Sequence, residues 1–208
     1  MSETTRHLRR DDVKYREAII KQALHEFHKR GIRGVTMSQI SEELHISKRT
    51  LYEIYASKED LIVECLQTKH LENCRNMEAI IEQSNNVMEA LLQIFQQRLN
   101  ETNHINSQFL EELQEYHAAK KYFAQIHAKQ RVEAVEYLRS GVAEGVFEPT
   151  VDFEIFYDML HMMVENIFTL GLLSTHTVTQ TFTATLITYI RGCATNKGRQ
   201  IIDNWLRK

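Results

Sequence analysis

The sequence predicts an all-α protein, and three observations carry that expectation. A single proline, Pro149, and seven glycines are spread over 208 residues, too few breakers for a turn-rich β fold. Apolar residues recur at three- and four-residue intervals along most of the chain, the period of a helix with one buried face. Bounded runs of alternating β-branched and aromatic residues, the mark of strands, are missing; even the Thr-rich segment 175–188 places its apolar residues at helical spacing.

The elements follow in order. Residues 1–10 are polar and are expected to fray. A first helix is expected over about Asp11–Arg30, with Ile20, Ala23, Leu24 and Phe27 as its stripe and Gly31 as its stop. Thr36, followed three residues later by Gln39, has the pattern of a capping box. It opens a short helix whose inner face is Met37, Ile40 and Leu44. His45-Ile46 forms a turn, and Ser47 caps a third helix, Lys48 to about Tyr55, with Leu51 and Ile54 inward. Ser57 caps a fourth, with Leu61, Ile62, Cys65 and Leu66 as its stripe. Further helices are expected over about 86–100, 107–116, 118–143, 152–170 and 177–193, with Gly145, Pro149 and Gly171 as punctuation and a short tail helix around 201–206.

Charge is unevenly distributed. The first 60 residues hold 12 Lys and Arg against 10 Asp and Glu; the rest hold 13 against 18. A basic end on an acidic body suits a protein that offers one end to a polyanion. Three cysteines without a CxxC pair argue against a disulfide framework and for a reducing cytoplasm. The first residues lack the apolar core of a signal peptide, and apolar runs stay well short of the roughly 18 residues a membrane span needs.

Function is concentrated in residues 36–60, where two short amphipathic helices meet at a tight turn, the plan of a helix-turn-helix. The second of these helices exposes Ser47, Lys48, Arg49, Thr50 and Tyr52. A basic, hydroxyl-rich N-terminal half is what a helix needs to enter the major groove.

This stretch resembles the DNA-binding domain of TetR/AcrR-type regulators. The resemblance runs over about residues 11–66, through Phe27 to Gly31, Thr36 and Ile40, then Ser47, Thr50, Leu51, Tyr52 and Tyr55, and closes on Ser57, Lys58, Glu59 and Leu61. His45 stands where the family often has glycine, and His tolerates a left-handed turn better than most residues. Arg49 stands where the family often has glycine before the Thr and places a bulky cation at the groove. The resemblance implies a helix-turn-helix DNA-binding domain, residues 1–56, followed by a helical effector-binding and dimerisation domain, residues 57–208. It implies that Thr36, Gln39 and Ser47 anchor phosphates or the turn, that Lys48, Arg49, Thr50 and Tyr52 face the groove, and that Lys58 meets a phosphate at a helix N-terminus.

The expected function is that of a dimeric repressor released from a near-palindromic double-stranded operator by a small-molecule effector. The helix from Asp152 to Leu170 is apolar on more than one face, which suits burial against both its own domain and a second copy. For the effector, the polar and aromatic residues on otherwise apolar helices are Phe95, Tyr116, His117, Tyr137, His161 and Glu165. A regulator of the same fold controlled by a protein partner is the nearest rival; an all-helical enzyme or binding module is a rival from another class. Hydrolase, zincin and phosphate-loop motifs are missing. Cys65 falls on a different side of its helix from His70 and Cys74, so the three do not read as a metal site. No catalytic residue, metal or cofactor is expected.

Overall fold

The computed structural model describes residues 3–170, 172 and 175–207, with side chains over 15–167 and at 170, 172 and 175–207. Among the described residues the α-helices are α1 (Glu3–Arg30), α2 (Met37–Glu43), α3 (Lys48–Ile54), α4 (Lys58–Gln83), α5 (Val87–Thr102), α6 (Ser107–Leu113), α7 (His117–Ala143), α8 (Phe153–Thr169), α9 (Val178–Phe182), α10 (Thr188–Cys193) and α11 (Asn196–Leu206). Among the described residues strand pairing is limited to one isolated bridge, Phe147 with Ala194.

Two boundaries differ from expectation. Helix α1 starts at Glu3, not near Asp11, because nothing before Gly31 breaks a helix and a polar first turn can extend an established one. The segment expected as one helix over 177–193 is α9 and α10 joined by a π-helical stretch, Thr183–Ile187. Thr185 there turns its hydroxyl back to the Thr181 carbonyl at 2.8 Å, a local bond that competes with the helical ladder. The stop expected at Gly171 lies outside the described residues.

The chain forms two compact units: residues 1–71 with 105–122, and residues 72–104 with 123–208. The first is organised around Ile19, Ile20, Ala23 and Phe27 of α1, Ile40 of α2, Leu51 of α3 and Leu61, Ile62 and Cys65 of α4. Helix α6 adds Phe109 and Leu113 to the same core. The compact unit is therefore larger than residues 1–56: it takes in the first turns of α4 and a helix more than 30 residues further along the chain. Asn106 fastens that helix to the end of α1, its amide N–H donating to the His28 carbonyl at 2.9 Å. Gly31 follows α1 with φ 72°, a left-handed conformation that only glycine adopts freely. A Cβ there would also meet Glu112 Oε2 at 3.0 Å.

The second unit buries Met88, Leu92, Phe95 and Leu99 of α5, Val135 and Leu138 of α7, Phe153, Phe156 and Ile167 of α8 and Ile202 of α11. Asp152 caps α8 by accepting the Glu154 and Ile155 amides at 3.0 and 3.2 Å. Gly198 of α11 packs so close to the 146 backbone that a Cβ would lie 2.2 Å from the Val146 carbonyl oxygen.

Candidate nucleic-acid interface

Each end of the helix-turn-helix is held by its own side chains. Thr36 accepts the Gln39 amide at 3.2 Å, and Gln39 Oε1 accepts the Thr36 amide at 2.8 Å, closing the capping box on α2. Met37 and Ile40 anchor that helix in the core. The turn passes through His45 with φ 53°, and the Ile46 amide donates to the Ser41 carbonyl at 3.0 Å. Ser47 caps α3 by accepting the Thr50 amide at 2.9 Å, and the Ser47 and Thr50 hydroxyls lie 2.8 Å apart.

Leu51 is fully buried and Tyr55, at the end of α3, almost so; these two fix which side of the helix turns out. Arg16 of α1 reinforces the orientation, reaching Glu64 of α4 at 2.7 Å and lying 5.3 Å from the Tyr55 ring centre. Burial pushes the Tyr55 phenol pKa well above its ordinary value. The outward side carries Lys48, Arg49, Tyr52 and Glu53, with Thr50 half-buried at its edge. Lys48 Nζ sits 6.0 Å from the centre of the Tyr52 ring, whose residue is 44% exposed. Arg49 Nε donates to Glu53 Oε1 at 2.8 Å.

Lys58 is placed differently from the rest. Its ammonium donates to the carbonyls of Ile32 and Val35 in the α1–α2 loop and lies 5.8 Å from the Phe27 ring centre. Burial lowers its pKa, and the nearby Glu112 carboxylate opposes that shift. Glu112, 3% exposed, accepts the Arg33 amide at 2.8 Å from the other side of the same loop. Sequence reasoning missed this pair. The Glu112 signal in the sequence is a charged residue at a core position of a short amphipathic helix.

The six effector candidates divide between the two units. Tyr116 and His117 belong to the first unit, the other four to the second. Phe95 is a core residue against Phe182 and Trp205, with ring centres 6.4 and 5.7 Å away. Tyr137 packs half-buried on the same core, and Glu165 is exposed. His161 of α8 has the most developed surroundings. Its ring stacks on His127 of α7 with centres 3.9 Å apart, and His127 stacks in turn on Tyr157 at 5.1 Å. Beside them Arg131 holds Asp158 through two bonds of 2.9 Å. These partners were legible only as matching i, i+4 rows on two helices, His127 with Arg131 and Tyr157 with His161. An open groove of about 700 Å³ lies elsewhere in this unit, lined by Leu172, His176 and residues 179–181 and 183–185, and none of the six candidates borders it.

Among the described residues, groups of three or more His, Cys, Asp or Glu side chains able to hold a metal are missing, and no helix is long and apolar enough to cross a membrane. Cys65 lies in the first core, while Cys74 receives Gln130 Nε2 at 3.4 Å in the second unit.

Residues 19–65, which span the core of α1 through the first turns of α4, match the family model for bacterial regulatory proteins of the tetR family. Over 147 residues the chain is 26% identical to the HTH-type transcriptional repressor KstR2 of Mycobacterium tuberculosis, covering 68% of this chain and 74% of that one. The fold is similar to the solved ketosteroid transcriptional regulator KstR2 of that organism (TM-score 0.57, 21% identity, 88% of this chain and 96% of that chain). It is also similar to a TetR transcription regulator from Haloarcula marismortui (TM-score 0.71, 19% identity, 88% and 100%). A third solved relative is a transcriptional regulator from Saccharomonospora viridis in complex with choline (TM-score 0.62, 18% identity, 94% and 96%). The helix-turn-helix segment thus matches the tetR-family model, and the helical fold along most of the chain is similar to that of solved TetR-type regulators, which supports a DNA-binding transcriptional regulator.

Proposed function

We propose that the protein is a dimeric transcriptional repressor of the cytoplasm that leaves a near-palindromic operator when a small molecule binds its second unit. The observation that carries the reading is the division of α3: Leu51 is sealed in the core while Lys48, Arg49, Tyr52 and the Ser47–Thr50 cap form a polar, cationic outer side. A helix so divided can lay its N-terminal half in the major groove while its inner side stays packed. Thr36 and Gln39, at the start of α2, would meet the flanking backbone. Repression of this kind works by occupancy of a promoter and needs no catalytic group.

A second copy is supported by α8. Its inner side holds Phe153, Phe156 and Ile167, yet Ile155 is 60%, Met159 36% and Met162 47% exposed. Those three stand at i, i+4 and i+7, one apolar side of a helix left open among the described residues. The KstR2 relative is a repressor, and the Saccharomonospora viridis relative holds a small molecule; both support the same assignment here. In the second unit the His161–His127–Tyr157 stack is the best-formed polar and aromatic group for an effector to meet.

Selection of duplexes from a random pool by the full chain tests the core of this reading. It should return an inverted repeat with half-sites about 34 Å apart, or a multiple of that. Sedimentation at micromolar concentration should give twice the chain mass, and Met159→Glu should give a monomer that binds the same duplex poorly. A parent protein that is monomeric and selects a single half-site would refute the dimeric reading. An effector, once found, must weaken operator binding by the same factor by which the operator weakens the effector.

A further inference from the structure

The outward side of α3 carries two i, i+4 rows side by side: Lys48 with Tyr52, and Arg49 with Glu53. Glu53 stands out in this setting. It is an exposed acid on the side of the helix that faces a polyanion, where a carboxylate repels phosphate and lowers affinity for every duplex alike. Its contact with Arg49 gives it a compensating role. A guanidinium offers five N–H donors in a planar fork. The Nε donor of Arg49 is turned to Glu53 Oε1 at 2.8 Å, which leaves the pair of terminal nitrogens to meet the O6 and N7 acceptors of a guanine edge together.

We infer that Glu53 is a positioning residue for base recognition, holding the Arg49 guanidinium so that its two terminal nitrogens read one guanine in each half-site. The inference rests on the placement of α3 in the major groove proposed above. Its physical basis is pre-organisation. Arg49 is a long side chain with many rotamers, and fixing one of them on binding is costly. A partner one turn along the helix fixes the fork beforehand. The same ion pair is weak on a solvated surface, but strengthens as groove contact excludes water. Glu53 therefore gives up general affinity for selectivity.

The test uses the full chain and the duplex it selects from a random pool. Binding is measured across single-base variants of that duplex and to random duplex, at two salt concentrations, for the parent, Glu53→Ala, Glu53→Gln, Arg49→Ala and the Arg49→Ala/Glu53→Ala double variant. Glu53→Ala should reduce the preference for guanine at one position per half-site by about tenfold, while random duplex binds as tightly as before or more tightly. Glu53→Gln keeps an acceptor for Nε and should retain most of the preference. In the Arg49→Ala background, removing Glu53 should cost no further selectivity. Weaker binding to all duplexes with the preference intact would show a merely structural role and overturn the inference. Selectivity lost on removing Glu53 even without Arg49 would show that the carboxylate reads a base itself, and overturns it too. If Arg49→Ala leaves the base ranking unchanged, the groove placement of α3 fails as well, so the two failures are distinct.

Discussion

Replacing Lys58 with alanine separates two roles that a lysine at a helix N-terminus can have. Were its ammonium to grip a phosphate, the variant would keep its stability and lose about one unit of salt slope in operator binding. The structure argues for the other outcome. The ammonium donates to two loop carbonyls, Ile32 and Val35, and lies beside the Phe27 ring. Hydrogen bonds to a charged group contribute about 1.5–3 kcal/mol each, and the ring contact adds about 0.5–1 kcal/mol. Against that stands the desolvation that lowers the lysine pKa, together with the water that can reach the freed carbonyls. A net loss of about 2 kcal/mol is expected, which at a typical slope of about 2 kcal/mol per molar urea moves the midpoint by about 1 M. Urea unfolding followed by helical circular dichroism measures this directly, and hydrogen exchange at amides 31–36 locates the loss. Lys58→Met, which keeps the apolar stem over Phe27, should lie between alanine and the parent. Binding of the selected duplex at several salt concentrations completes the test. A Lys58→Ala protein as stable as the parent, with a salt slope lower by one unit, would refute the structural role and return this lysine to the phosphate.

Two further predictions concern a buried and a half-buried ionisable group, Glu112 and His161. Glu112→Ala strips the acceptor from the Arg33 amide and from Gln108 Nε2, which it meets at 2.8 and 2.9 Å; a loss of about 2–3 kcal/mol is expected, and Glu112→Gln, which keeps an acceptor, should lose less than half of it in the same unfolding assay. The His161 pKa is lowered from its usual 6.5 by burial first and by the adjacent His127 second, with Glu165 and Asp158 opposing. The fold thus prefers the neutral ring, the unfolded chain takes up more protons below about pH 6.5, and stability falls as pH drops through that range. His28, half-buried beside Phe109 with Lys69 and His25 nearby, shifts in the same direction, so His161→Phe should reduce the slope of unfolding free energy between pH 7 and 5 without abolishing it. An unchanged slope would mean that the His161 ring does not contribute to the pH dependence in this range.

The elements were legible wherever a local rule decides them. The Thr36 and Ser47 caps, the stop at Gly31, and Leu51 inward with Lys48 and Arg49 outward each depend on residues within one or two turns of each other, and short-range hydrogen bonding and helical period are carried by sequence spacing alone. His45 in a left-handed turn is of the same kind. The start of α1 was set too late because frayed and extended polar turns have nearly the same composition. The effector candidates fall in both units because polarity on an apolar helix does not say which other helix it faces: Phe95 packs in the core of the second unit, and Tyr116 and His117 belong to the first.

By itself, then, the sequence determined the all-α class, the helix-turn-helix at residues 36–60 and its likeness to tetR-family DNA-binding segments, since these rest on caps, turns and periodicity that act within a few residues. Tertiary structure alone decided the long-range pairings. It brought α6 under the DNA-binding core through Asn106, Phe109 and Glu112, turned Lys58 into the α1–α2 loop, and stacked His127 on His161 from separate helices. The reason is physical: a buried charge goes where an opposite charge or a carbonyl waits, and a ring goes where another ring has been packed. Those positions are set by how helices distant in sequence cross, which no local spacing encodes.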